Sequence, residues 1–280
     1  MSLNDKKLPA LFQSERGPIT ESDHRTALCK LGLVRGDLVM LHADVSTFGK
    51  LGDFRDRNAF LQALLDGFVD VLGPEGTLIV PTYTYSFCKN QPFDVKSSPS
   101  TTGIFSEYVR TRPNAVRSAD PIFSHAGLGP KAAMLLNDVG TTCFGKESVF
   151  DRFYNQNGKI VNFGKFFDIT YLHYIEHEYQ LRFGKLSYRK NKTFSGTIIN
   201  SDGISRHSEF TYYVRRLADE QLDVQYQMPK LAEELRRRSL LGATMLGNNE
   251  ILCSTARDCL EVGFQMLDQD IYAFLAKKPN

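Results

Sequence analysis

Two hydrophobic periods take turns along about the first 180 residues of the chain. Between Arg57 and Leu72 the apolar residues Phe60, Leu61, Leu64, Leu65, Phe68, Val69 and Leu72 recur at the i, i+3, i+4 spacing of a helix packed on one face, and Gly73-Pro74 closes it. Asp37 to His42, Thr77 to Pro81 and Lys159 to Phe163 are instead short continuous apolar runs, which read as buried strands. Further helices are expected from Thr20–Ser22 to Gly32, from Ile104 to Arg112, and from Tyr171 to Gln180 with Asp168 or Thr170 as N-cap. Strands alternating with helices predict an α/β fold, a layered α/β/α body around a central mixed sheet.

Past Gly184 the pattern changes. Lys192 to Asn200 and Ile204 to Tyr213 alternate like strands around Ser201-Asp202-Gly203, a hairpin signal. The expected organisation is a main domain of residues 1–184 plus 241–280, closed by a C-terminal helix from Ser254 to Lys277, and a small β-containing subdomain over residues 185–240. Ligands gather at the C-terminal ends of strands in such sheets. That directs attention to the loop Ala43 to Gly49, to Thr82-Tyr83-Thr84, and to the Pro- and Ser-rich loop from Lys89 to Thr102.

Composition narrows the classes. With 34 Lys and Arg against 32 Asp and Glu, the net charge of +2 is too small for a nucleic-acid surface. No apolar run nears the roughly 20 residues that span a bilayer, and the N-terminus has no signal-like apolar stretch, so a cytoplasmic protein is expected. The five cysteines are scattered and form no CxxC pair, which fits reduced thiols.

The segment Tyr171-Leu-His-Tyr-Ile-Glu-His177 carries the chemistry. His173 and Glu176, three apart, share one helix face, where a carboxylate can orient an imidazole and raise its basicity: a general base, or simply a satisfied pair. The same residues spell H-x-x-E-H, so a zinc peptidase is an alternative, with Glu250 or Glu261 as third ligand. His42 and His125 fit core histidines or a second base, and Arg236 to Arg238 fit phosphate contacts or a solvated helix face.

Several segments resemble the aminoglycoside 3-N-acetyltransferase family, from about Gly36 to Gly184 and more loosely to the end. Leu41 to Gly49 is similar to the family's VHSSLSSLG, Leu72 to Thr82 to its LGPEGTLVMPT, and Leu172-His-Tyr-Ile-Glu176 to its LHLAE. Pro99 to Gly103 and Arg117 to Ser124 resemble its Pro-Ser-x-x-Gly and Arg-Ser-x-His-Pro-x-x-Ser. The chain departs from the pattern at Ala43-Asp44, where the family often has two serines, and at Asp120, where it commonly has His.

The resemblance implies an N-acyltransferase that uses acetyl-CoA or another acyl-CoA, with no metal, and in which His173 and Glu176 match the catalytic pair. It places Asp44, Val45, Ser46, Thr47 and Gly49, with Arg117, Ser118 and Ser124, along coenzyme A. Thr82 would serve as an oxyanion donor, and Tyr83 and Asp94 would face the acceptor. A coenzyme A-binding protein without catalysis is a further alternative, and a homodimer is left open.

The acceptor is read from charge. Residues 185–240 hold 11 Lys or Arg against 7 Asp or Glu, and the loop from Lys89 to Thr102 has Asp94 as its sole acid. Aminoglycosides are polycations, whereas a nucleotide-linked amino sugar brings a diphosphate, so basic walls favour the sugar nucleotide of polysaccharide biosynthesis, with an aminoglycoside as the alternative.

Overall fold

Leu38 and Met40 face one apolar cluster while Val39 and Leu41, between them, face another, the period-two signature of a strand covered on both sides. The strand is β3 (Leu38–Ala43), and it lies in the middle of a sheet of seven. The structure is a computed structural model, and it describes residues 9–164, 167, 169–215, 226–227 and 229–278.

Among the described residues the first elements are β1 (Ala10–Ser14) and β2 (Gly17–Thr20), which join the short β4 (Lys50–Leu51) in a three-stranded sheet. The central sheet takes β3, β5 (Thr77–Pro81), β7 (Val116–Arg117), β8 (His125–Leu128), β9 (Lys159–Phe163), β12 (Gly242–Leu246) and β13 (Asn249–Thr255). Its order is β12-β13-β9-β3-β5-β8-β7. The strands β9, β3 and β5 run parallel, while β13 and β8 flank them antiparallel, so the sheet is mixed as expected.

One face is covered by α1 (Glu21–Lys30), α2 (Arg57–Leu72) and α3 (Ile104–Arg110). The other carries α4 (Ala132–Leu136), α5 (Val149–Asn155), α6 (Tyr171–Phe183) and the C-terminal α8 (Ala256–Gln269). The layered α/β/α reading therefore holds. Thr20 caps α1 through a capping box with Asp23, and Asp56 caps α2 on Ala59 N.

The hairpin is longer than its sequence signal: β10 (Arg189–Ile199) pairs in unbroken register with β11 (Ser205–Arg215). It is not free-standing, because β10 also pairs in parallel with β6 (Phe93–Asp94), inside the loop that the sequence left unstructured. Tyr188, Ile198, Phe210 and Tyr213, with Leu231 and Leu235 of α7 (Pro229–Arg237), enter the same apolar cluster as α5, α6 and α8. The C-terminal helix is shorter than expected and is preceded by the β12–β13 hairpin, turned at Gly247 with φ +57°. Thr170 occupies the N-cap position of α6 without a side-chain bond, and Asp168 lies outside the described residues. Among the described residues no helix is long and apolar enough to cross a membrane.

Candidate active site

The C-terminal ends of β3, β5 and β9 open on a pocket of about 380 Å³ walled by His42, Asp44, Tyr83, Tyr85, Asn162 and Thr170. Two polar atoms in it, His42 Nε2 and Asn162 Oδ1, are buried without a hydrogen-bond partner among the described residues. Burial pulls the His42 imidazole down to about 4, so it is neutral near pH 7.

From this wall α6 departs. His173 sits in its first turn, its N–H donating to the Thr170 carbonyl at 2.9 Å. The rings of Tyr83, Phe123, Phe144 and His173 follow one another at centroid separations of 4.9, 4.9 and 5.8 Å, an aromatic path from the pocket to the imidazole.

The expected pair exists. Nδ1 of His173 is 3.3 Å from Oε2 of Glu176, and Glu176 is completely buried. Three groups that the sequence did not single out surround it. Tyr188 donates its hydroxyl to Oε1 at 2.8 Å, Tyr226 reaches Oε2 at 3.4 Å, and Arg189 Nη2 stands 2.8 Å from Oε2. Burial alone would raise the Glu176 carboxyl, but Arg189 and then the His173 and Tyr188 hydrogen bonds hold it below the usual carboxylate range. Glu176 is therefore an anion in the folded protein.

Nδ1 of His173 is contested, because Arg189 Nη2 lies 2.6 Å from it. With the ring proton on Nδ1, the imidazole donates to Glu176 and leaves a lone pair on Nε2, the form of a general base; with the proton on Nε2, Arg189 donates to Nδ1. The zinc reading gains nothing here: among the described residues no three His, Cys, Asp or Glu side chains converge, and Glu250 is paired with Arg236 at 2.9 Å.

The other predicted residues fall into two groups. Thr82, Ser118 and Ser124 are wholly buried. Arg117 Nε donates to the Thr82 hydroxyl at 3.2 Å and to Ser124 Oγ at 3.3 Å, and Ser124 Oγ in turn donates to the Thr82 carbonyl at 2.5 Å. Ser118 Oγ accepts from His125 N at 2.9 Å. These side chains tie the end of β5 to β7 and β8. The Thr82 hydroxyl, expected as an oxyanion donor, is buried in this network, accepting from Arg117 and 3.2 Å from Ser124 Oγ. Asp94 is committed too, capping its own turn through Lys96 N and Ser97 N at 2.8 and 3.0 Å.

The loop after β3 is the second group. Asp44 accepts from Ser46 N and Oγ, Thr47 Oγ1 donates to the Asp44 carbonyl at 3.0 Å, and Val45 packs on the apolar face beneath. Asp44 thereby stabilises the loop where the family often has serine. Gly49 has φ +149°, and a Cβ there would come within 2.5 Å of the Gln13 carbonyl, so its role is to let β1 pass close by. On the outer side of the loop, Ser46, Thr47 and Gly49 line a second cleft of about 510 Å³. Tyr83, expected at the acceptor, lies on the inner pocket wall with its hydroxyl 3.5 Å from His125 Nε2. A further cleft of about 820 Å³ is walled by Arg110, Arg112, Arg117 and Arg206, and neither His173 nor Glu176 lines it or the strand-end pocket.

A buried imidazole–carboxylate pair on a helix that follows the strand-end pocket of a mixed α/β/α sheet has the components of a base-assisted group transfer. The description "Aminoglycoside 3-N-acetyltransferase" matches residues 40–268, and the chain belongs to that family. It is 28% identical over 188 residues to aminoglycoside N(3)-acetyltransferase IX of Micromonospora chalcea, covering 60% of this chain and 65% of that protein, a little under two thirds of its length. Solved structures share the fold: that of aminoglycoside acetyltransferase AAC(3)-Xa (TM-score 0.75, 23% identity, 91% of this chain and 94% of that one) and that of AAC-IIIb binary with CoASH (0.72, 21%, 93% and 99%).

Proposed function

We propose that this protein transfers an acetyl group from acetyl-CoA to an amino group of an aminoglycoside, with His173 as general base and Glu176 as its partner. The observation that carries the reading is the buried Nδ1 to Oε2 contact of 3.3 Å, joined through the Tyr83, Phe123 and Phe144 rings to a strand-end pocket that His173 and Glu176 do not themselves line. An acceptor amine is protonated near pH 7 and must shed a proton to attack. Neutral His173, with Nδ1–H donated to Glu176, offers Nε2 to receive it, and the adjacent anion stabilises the imidazolium that results.

Coenzyme A would supply the acyl group as a thioester. The pocket suits its amide-bearing arm, because His42 Nε2 and Asn162 Oδ1 are polar, uncharged and without partners among the described residues. Asp44 to Gly49 form the rim between that pocket and the outer cleft. Residues 185–240 would act as the acceptor-side layer, since Tyr188, Arg189 and Tyr226 approach the catalytic pair from there.

The aminoglycoside reading replaces the sugar-nucleotide one. The relative from Micromonospora is named for aminoglycosides, and part of the basic surplus that favoured a diphosphate is paired with acids within the protein. Arg237 and Arg238 pair with Glu234, Arg236 with Glu250, and Arg189 with Glu176.

The test is release of free thiol from acetyl-CoA by the purified protein, offered in parallel aminoglycosides with a free 3-amino group and nucleotide-linked amino sugars. Turnover with the former alone supports the reading. Turnover with the latter alone restores the alternative, and none with either removes the enzymatic claim.

A further inference from the structure

We propose that Tyr85 is a specificity-determining residue, whose ring sets an upper limit on the size of the acyl group that the strand-end pocket accepts; this deepens the acyl-CoA reading of that pocket and rests on it. Tyr85 has φ +54°, a left-handed conformation that is unfavourable for a bulky side chain and persists only where the surroundings enforce it. The other non-glycine residues with positive φ, among the described ones, are Asn90, Asp138, Glu147, Asn157 and Ser239, all of them polar. Backbone bonds hold the turn on both sides. Tyr85 N donates to the Ile122 carbonyl at 3.4 Å, Ser86 N to that of Pro121 at 2.9 Å, and Lys89 N to that of Tyr85 at 3.2 Å.

Glycine would make this turn without steric cost, so the turn itself does not call for tyrosine. What glycine lacks is the ring. The residue is half-buried and walls the pocket, and its ring meets those of Tyr83 and Phe123 edge-on, at centroid separations of 6.2 and 5.4 Å. From Phe123 the rings continue through Phe144 to His173. Tyr85 therefore stands on the side of the pocket that leads toward the base, the direction in which the acyl end of a bound thioester would point.

An acetyl group brings one methyl to that wall, and a longer chain must find room beyond it. A ring clamped edge-on by two others, on a backbone with no freedom to turn, gives way poorly, and overpacking such a cluster is unfavourable. A single methylene in an apolar pocket changes selectivity by roughly 10–200-fold. Truncating Tyr85 to a methyl or to hydrogen opens the space of a phenol ring at this point.

The experiment compares acetyl-CoA with butyryl-CoA in the purified protein, by calorimetric Kd without acceptor and by kcat/KM with a 3-amino aminoglycoside. Tyr85→Ala and Tyr85→Gly should each shift preference toward butyryl-CoA by about tenfold or more in both measurements, and Tyr85→Phe, which keeps the ring, should hold the parent preference. Thermal melts test the backbone: with positive φ, Tyr85→Gly should melt no lower than Tyr85→Ala, the reverse of the order at an ordinary φ. An unmoved preference in the alanine and glycine variants overturns the proposal, as does a phenylalanine variant that behaves like alanine. An alanine variant that melts above the glycine one overturns the strained turn on which it is built. Should Tyr85→Ala fail to fold, Tyr85→Gly decides. A parent protein that neither binds nor turns over acetyl-CoA removes the acyl-transfer reading and the role of Tyr85 with it, whereas an active parent with unmoved preferences in the variants removes only the role of Tyr85.

Discussion

The Tyr188 hydroxyl donates to Oε1 of Glu176 at 2.8 Å, fastening the residue before β10 to α6. Both side chains are buried, so the bond has no competing water. Tyr188→Phe should cost about 1.5–3 kcal/mol, the range for a hydrogen bond to a charged group. Urea denaturation at pH 7.5 measures it; an unchanged midpoint would mean the bond contributes nothing.

Acid should weaken the fold in a defined window. Burial, aided by Arg25 and by His42 respectively, pulls His24 and His125 down to about 3 in the folded protein from an ordinary 6.5. Folded values below the unfolded ones mean that the unfolded chain binds more protons in between, so stability is complete above about 6.5 and drains away as pH falls. Asp120 has the opposite sign. Burial pushes it up to about 6, and it returns part of the loss between that value and 3.8. His42, pulled down to about 4 by burial, adds to the loss, so three histidines against one aspartate leave a net fall of roughly 2–3 kcal/mol per pH unit between about pH 6 and 4. Denaturation midpoints that are level from pH 8 to 6.5 and drop at 5.5 and 5 agree; a rise on acidification contradicts the assignment.

The same Asp120 yields a stabilising substitution. Its Oδ1 accepts from Ile122 N and Phe123 N at 2.8 Å each, contacts an amide oxygen can also make, while its charge is buried. Asp120→Asn should therefore gain about 1–3 kcal/mol at pH 8, the cost of ionising a carboxyl whose pKa is raised by roughly two units. The gain should shrink by pH 5. Thermal melts at both values check it, and an equal effect at both would assign the change to packing.

Much of this was readable in advance because local patterns and tertiary roles coincide. The period of α2 and the apolar runs of β3, β5 and β9 match the structure at or near their boundaries, since both faces of those strands are covered and their middle residues are apolar. The β12–β13 hairpin was missed although Gly247-Asn248 is a turn signal, because Ala243-Thr-Met-Leu246 is too short and half-exposed to read as a strand. At the site, His173 and Glu176 were legible as neighbours on one helix turn. Tyr188, Arg189 and Tyr226 were not, since they lie 12, 13 and 50 residues beyond Glu176 and only tertiary folding brings them to it. The buried network that holds Thr82 and Ser124 was not legible, because a motif shows which residues recur, not which way a hydroxyl points.

A packing prediction concerns the interface of α1 and α2. A Cβ added at Gly67 would lie 2.4 Å from Nδ1 of His24, whose ring is wedged against Phe68 and Phe163. Alanine favours helix, but overpacking a buried ring outweighs that, so Gly67→Ala should lose about 1–3 kcal/mol. Guanidinium denaturation decides it, and a gain would show that His24 can shift.

The central claim is that His173 receives the proton released by the acceptor amine. The most direct measurement compares kcat/KM for acetyl transfer from acetyl-CoA to a 3-amino aminoglycoside in the parent protein and in His173→Gln, with folding verified by circular dichroism. The account predicts a fall of about 10²–10⁴-fold, carried mainly by kcat. An undiminished kcat in a folded His173→Gln protein would contradict it.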